Sequence, residues 1–340
     1  PALVFDEARL HSALANTGPG FEFAHRDAAH WQALRRAFVD AALGAGASLV
    51  APSASAMAVE LRLAPELKAL RRAVIAHGLA AWPNPVELPE PPPRQRLRLV
   101  VPGRVRSGQG ADLLHAMLPA LTEHAELVLL GAGSAGMDFF GQSRVHVLLD
   151  YERDELPQLL ATLKPDAALI LSTVAETFSY TLSEMRSLGL PVIATRVGAL
   201  AERIHDGRDG LLVEPDAQAV RRRIAALVAD PQPLAGIRGQ LAAQPPEPDI
   251  QAMAVAHLQV LAADTHRARR PAHVAGNAEI EALHGRNRIR VLQQTLDRRA
   301  DEITALESEV GRRAEWAWQL DREQRTAAAR VEELHRILEE

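Results

Sequence analysis

Two carboxylates, Glu176 and Glu184, stand eight positions apart in a stretch that also carries Thr177, Phe178, Ser179, Tyr180 and Thr181. A carboxylate accepts hydrogen bonds from sugar hydroxyls but is poorly placed to bind phosphate. Free backbone N–H groups at a helix start do the reverse: they donate to phosphate, aided by the helix dipole. The elements that must position these groups can be read on either side. The apolar run from Ala167 to Leu171 reads as a buried strand. A polar turn follows, then a short helix beginning near Thr181, the stop residue Gly189 and a second strand, Val192 to Ala194. In open parallel sheets ligands sit outside the carboxyl ends of the strands. Glu176 then lies in the loop at a strand end and Glu184 about one turn into the helix, with the N–H groups of Ser179, Tyr180 and Thr181 free. The unit predicts a site for a sugar-phosphate ligand.

Composition narrows the classes around that site. The chain has 340 residues, room for about two domains. It has no cysteine, which excludes disulfides, thiolate catalysis and Cys-ligated zinc and fits a reducing compartment. A net charge of -5 gives no general attraction to nucleic acid. No apolar run approaches the ~18 residues of a membrane span, so a cytoplasmic location is expected, with the inner face of the cytoplasmic membrane as a variant. The start at Pro1, without Met or a signal-like segment, and the end inside a helical pattern lead us to expect an excerpt of a longer protein.

Five segments are expected. Residues 1–88 hold two strand-helix repeats, too few to close a doubly wound domain, and read as the tail of a Rossmann-like one. Within them we expect helices at His30 to Leu43 and Ala56 to Leu63, and strands at Ser48 to Ala51 and Ala73 to Ala76. Residues 89–96, at the end of a proline-rich run that starts at Pro83, form a linker. Residues 97–243 alternate regularly between strand and helix, which predicts a parallel sheet covered on both faces. Residues 249–270 form a further helix after the break Pro245 to Pro248. Residues 280–340 carry a heptad repeat. With Ile289 at position a, the later a positions include Leu296, Ile303, Val310 and Val331, and the d positions include Leu292, Leu306, Leu320 and Leu334. That pattern predicts a parallel dimeric coiled coil, the alternative being one amphipathic helix on the globular body.

A wider constellation surrounds the two carboxylates. A first strand ends in Gly103-Arg104, followed by Arg106 and Gln109; a second ends in Gly131 and Gly133; Val197-Gly198-Ala199 and Glu202 follow the strand that ends at Ala194. Their order resembles the nucleotide-binding domain of family 4 retaining glycosyltransferases of the GT-B fold, over residues about 48 to 242. The stretch from Ala175 to Glu184, with the Gly-Ala and Glu-Arg that follow, looks like a subgroup found in bacterial O-antigen and surface-polysaccharide synthesis, several of whose members carry long coiled coils. The implied fold is α/β: a doubly wound parallel-sheet donor domain, a partial N-terminal Rossmann-like domain, and the coiled coil.

The resemblance implies roles residue by residue. Arg104 would face the donor pyrophosphate, where a guanidinium offers paired hydrogen bonds and a fixed charge. Position 109, normally lysine in this pattern, is Gln109 here, so Arg106 would compensate or turnover would fall. Glu176 would accept from donor-sugar hydroxyls, the N–H groups from Thr177 to Thr181 would hold sugar and phosphate, and Glu184 would accept from the ribose. Gly103, Gly131 and Gly133 would admit the nucleotide closely. Glu176 and Arg104 are the catalytic candidates, and no metal or other cofactor is implied beyond the nucleotide diphosphate sugar. Glu202 reads as a first-turn acid favoured by the helix dipole, His77 as a structural turn residue, and Arg221, Arg222 and Arg223 as a solvated helix face, with membrane-surface contact as the alternative.

The implied activity is transfer of a hexose, with retention, to a growing saccharide or lipid-linked saccharide, by a homodimer joined through 280–340. Two rivals stay open: a nucleotide-sugar epimerase of the same fold, and a non-catalytic assembly or length-measuring module, which Gln109 favours and the Glu176/Glu184 pair opposes.

Overall fold

The computed structural model describes residues 27–106 and 108–264. The heptad segment 280–340 lies outside the described residues. Two sheets appear. The larger is built on β3 (Leu97–Pro102), β4 (Ala125–Leu130), β5 (Val145–Leu148), β6 (Ala167–Ile170), β7 (Val192–Thr195) and β8 (Leu211–Val213). Its order is β5-β4-β3-β6-β7-β8, every pair parallel. The smaller pairs β1 (Ser48–Ala51) with β2 (Arg71–Val74), also parallel.

Alternation along the strands explains why the large sheet is covered on both faces. Leu97, Leu99 and Val101 join Leu127, Leu129 and Leu169 in one core, against α3 (Ala111–Leu121), α7 (Ala217–Ala229) and α8 (Gln232–Ala243). The residues between them, Val100, Val128, Ala168 and Ile170, face the opposite core, against α4 (Leu156–Leu163), α5 (Tyr180–Ser187) and α6 (Gly198–Arg203). Period-2 burial on both faces is what a parallel sheet with crossover helices requires. The chain runs outward through β3, β4 and β5, then returns to place β6 on the other side of β3. The carboxyl ends of β3 and β6 therefore flank a topological switch point.

Helix α8 was not foreseen in the sequence. Gly236 and Gly239 each lower helix propensity by about 1 kcal/mol relative to alanine. Burial of Leu234, Ile237 and Leu241 on the sheet overrides that cost. In the first half, α1 (Ala28–Ala45) and α2 (Ala54–Leu63) flank β1, and α9 (Ile250–Asp264) returns to touch it. Strand β2 lies two residues earlier than the expected Ala73 to Ala76, because its pairing ends where β1 ends, at Ala51↔Val74.

The chain crosses between the two sheets twice, and the crossings run side by side. Leu79 N–H donates to the Pro248 carbonyl at 2.7 Å, and Leu79 bridges Asp249. A side chain at Gly78 would run into the Asp249 carbonyl, so this approach needs glycine. No helix among the described residues is long and apolar enough to cross a membrane.

Candidate functional site

A cavity of about 230 Å³ opens at the switch point, lined by Gly103, Arg104 and Gln109 after β3, by Ser172 and Glu176 after β6, and by Thr177 to Thr181. Larger hollows, about 820 Å³ beside β5 and about 560 Å³ beside Arg238, lie elsewhere, and neither lies against the N-terminus of α5. Ser179 caps α5 in a left-handed conformation, φ 71°, and its hydroxyl accepts from Leu182 N–H at 3.3 Å. The N–H groups of Ser179, Tyr180 and Thr181 make no hydrogen bond among the described residues. Arg104 lines the same cavity and makes no hydrogen bond or ion pair with a described residue, leaving its charge available to a ligand. Arg106 is exposed and does not line the cavity.

Glu176 is held from two directions. The buried Ser172 donates its hydroxyl to Glu176 Oε1 at 2.5 Å, and Ser172 is fixed in turn where Thr195 Oγ1 donates to its carbonyl at 2.5 Å. Behind the loop, Ala199 N–H donates to the Glu176 carbonyl at 2.9 Å. Gly198 has φ +48°, and a Cβ there would fall 2.6 Å from Glu176 N and O. Glycine is thus needed at 198 but not at 199, where the buried Ala199 fits.

Glu184 lies outside that cavity, as do Gly131 and Gly133. Contacts nevertheless link them to it. A Cβ on Gly133 would meet Arg104 Nη1 at 2.9 Å, and one on Gly131 would meet the Tyr151 ring at 2.8 Å. Tyr151 lies close enough to feel Glu184: burial, then that carboxylate, pushes its phenol up to about 12. Burial raises the Glu184 carboxyl above its ordinary value, opposed by Arg153, whose Nε donates to Glu184 Oε1 at 3.1 Å. The predicted residues therefore form one cavity and an adjoining patch.

Several residues at the site escaped the sequence reading. His77 is more than a turn residue: it lines the cavity, stacks on Tyr180 at 5.1 Å between centroids and meets Phe178 edge-on at 4.9 Å. Burial, helped by the charges of His257 and Arg203, lowers its pKa and favours the neutral ring. Arg203 holds the loop from behind, its Nη1 donating to the carbonyls of Phe178 and Ser179 at 2.8 and 3.1 Å while its Nη2 meets Glu247 at 2.9 Å. With these carbonyls engaged, the N–H groups on the other side of the loop stay free.

Glu202 is not a first-turn acid. It lies near the end of α6 and accepts from Ala54 and Ser55 N–H, at 2.9 and 2.7 Å, capping α2 of the first half. Burial alone would raise its pKa, but these N–H bonds outweigh that and hold it low. Beside it, Ser53 Oγ donates to the Thr177 carbonyl at 2.7 Å. No signal in the local sequence marks such contacts, since the partners are more than 120 residues apart. Among the described residues no three His, Asp or Glu side chains converge as a metal site would need.

Comparison with known proteins bears on this arrangement. Residues 96–230, about two fifths of the chain, match the family described as "Glycosyl transferases group 1". A D-inositol 3-phosphate glycosyltransferase of Arthrobacter sp. (strain FB24) is 28% identical over 171 residues, 44% of this chain and 41% of that protein. A glycogen synthase of Mycobacterium tuberculosis is 26% identical over 168 residues, 46% of this chain and 40% of that protein. The chain thus spans about two fifths of the length of these curated relatives. A sucrose-phosphate synthase from Thermosynechococcus elongatus superposes with a TM-score of 0.53 at 22% identity, over 76% of this chain and 67% of that one. The fold is that of the GT-B glycosyltransferases, and residues 96–230 match their group 1 domain.

Proposed function

We propose that this chain carries the donor site of a retaining glycosyltransferase that moves a hexose from a nucleoside diphosphate sugar to a saccharide or lipid-linked saccharide. The observation that carries the reading is the cavity itself. It combines a guanidinium (Arg104), a fixed carboxylate (Glu176) and three unengaged N–H groups at a sheet switch point. A departing diphosphate needs charge and directed donors where negative charge develops. Arg104 and the α5 N-terminus supply them, while Glu176 takes hydroxyls of the sugar and Glu184 those of the ribose. The match of residues 96–230 to group 1 glycosyl transferases supports the same reading. A dimer through residues 280–340 rests on the heptad pattern.

Calorimetry with UDP, GDP, dTDP and ADP tests donor binding; absence of heat with all four ends the proposal. Gln109 favours a second reading, a module that binds the nucleotide sugar without turning it over. Among the described residues Arg104 is the only lysine or arginine lining the cavity, so leaving-group stabilisation there is modest. Binding without transfer, with transfer appearing in Gln109→Lys, would select that second reading.

A further inference from the structure

Arg153 follows Tyr151 in the turn after β5, and its guanidinium touches three different parts of the molecule. Its Nε donates to Glu184 Oε1 at 3.1 Å. Its Nη2 donates to the Ala80 carbonyl at 2.8 Å. Its plane lies over the Trp82 ring, 4.0 Å from the centroid, a spacing at which a cation is attracted to the ring face. Trp82 is itself tied to α5: its Nε1 donates to Ser187 Oγ at 3.0 Å, and Ser187 Oγ donates to the Glu184 carbonyl at 2.8 Å. Residues 80 and 82 belong to the first crossing between the two sheets, so the crossing and the Glu184 carboxylate meet on one guanidinium. Only Oε1 is engaged; Glu184 Oε2 has no partner among the described residues.

We propose that Arg153 is a positioning residue for the nucleotide: pinned by Ala80 and Trp82, it holds Glu184 by one oxygen so that the other accepts from a ribose hydroxyl. The proposal rests on reading Glu184 as the ribose acceptor and adds what keeps that acceptor oriented and ionised. The carboxylate is half-buried, and burial favours its protonated, donor form. The groups acting on it are Arg153, which opposes protonation, and the Tyr151 phenol, neutral in the physiological range; Asp154 meets Arg153 on its far side at 3.7 Å. With Arg153 gone, the Glu184 pKa rises, and acidification removes an acceptor lone pair from the ribose site.

The test compares UDP, GDP and ADP each with its 2′-deoxy counterpart by calorimetry, for the unaltered chain, Arg153→Met, Arg153→Lys and Trp82→Leu, between pH 8 and 6. The unaltered chain should prefer the ribonucleotide about tenfold, the size of one lost hydrogen bond to a charged acceptor. Arg153→Met should lose most of that preference, and its remaining affinity should fall on acidification earlier and more steeply than that of the unaltered chain. Arg153→Lys should restore part of the preference, and Trp82→Leu should lower it less than Arg153→Met does. A preference unchanged in Arg153→Met, or a ratio near one in the unaltered chain, overturns the proposal while leaving donor binding intact. Failure of the unaltered chain to bind any nucleoside diphosphate overturns the donor-site reading and this proposal with it.

Discussion

Glu176 and Glu184 leave the same strand-helix unit and are held in opposite ways. Glu176 sits on a loop whose backbone is over-determined, by Ala199 N–H on its carbonyl, by the close approach of Gly198 and by Ser53 on the next carbonyl. Its carboxylate meets a neutral hydroxyl, that of Ser172. Glu184 sits on regular helix, and its carboxylate depends on one charged side chain anchored to a distant segment. The difference separates two design problems. On the roles proposed above, the group facing the sugar is placed by its main chain, and the half-buried group is held ionised by a counter-charge.

Breaking the first arrangement should cost most. Gly198→Val puts a branched Cβ where 2.6 Å separates it from the Glu176 main chain, at a φ that L residues rarely adopt. Urea unfolding should show a loss of roughly 2–3 kcal/mol, and binding of the intact sugar nucleotide should fall with it. A neighbouring Ala199→Gly change, where no such approach exists, should leave the loop in place.

Next in size is removal of the second carboxylate. Glu184→Ala should weaken binding of the bare nucleoside diphosphate by about 1–3 kcal/mol, whereas Glu176→Ala should spare the bare nucleotide and weaken the sugar-bearing donor. Acid should mimic the first change selectively. Because the Glu184 pKa is raised, protonation on lowering the pH begins above the usual glutamate range, so nucleotide affinity should decline there first. Isotherms in which both variants lose the same ligands equally would erase the contrast between the two groups.

Ser172→Ala should have a smaller effect, about 1 kcal/mol on the sugar donor, because the main chain still places Glu176 after the hydroxyl is lost. Smallest is Gln109→Lys. It adds a cation to a cavity that already holds Arg104, and should tighten diphosphate binding a few-fold at low ionic strength, less at physiological salt. Affinity that does not respond to salt would mean that residue 109 does not meet the phosphate.

What could be read from the sequence was whatever is local. Apolar runs such as Leu97 to Val101 and Ala167 to Leu171 gave the buried strands, and glycine and proline punctuation gave their ends. Glu176 and the α5 N-terminus were expected because strand ends and helix starts converge at a switch point, whereas Arg104 was expected only from the resemblance. What stayed hidden is non-local. Glu202 looked like a dipole-favoured acid because its actual partners, Ala54 and Ser55, lie in another half of the molecule. His77, Arg153 and Arg203 carry no pattern of their own; each earns its place through side chains or carbonyls 20 or more residues away. Helix α8 was obscured by glycines whose propensity penalty only tertiary burial offsets.

The paired crossings at Leu79 and Pro248 join the two sheets by two bonded segments rather than one cord. A single cord swivels in every direction and parts when nicked. Two cords bonded side by side resist twisting better than one. A protease cut in the exposed run from Pro83 to Pro93 would therefore leave both halves tethered, through α9 and its seat on β1.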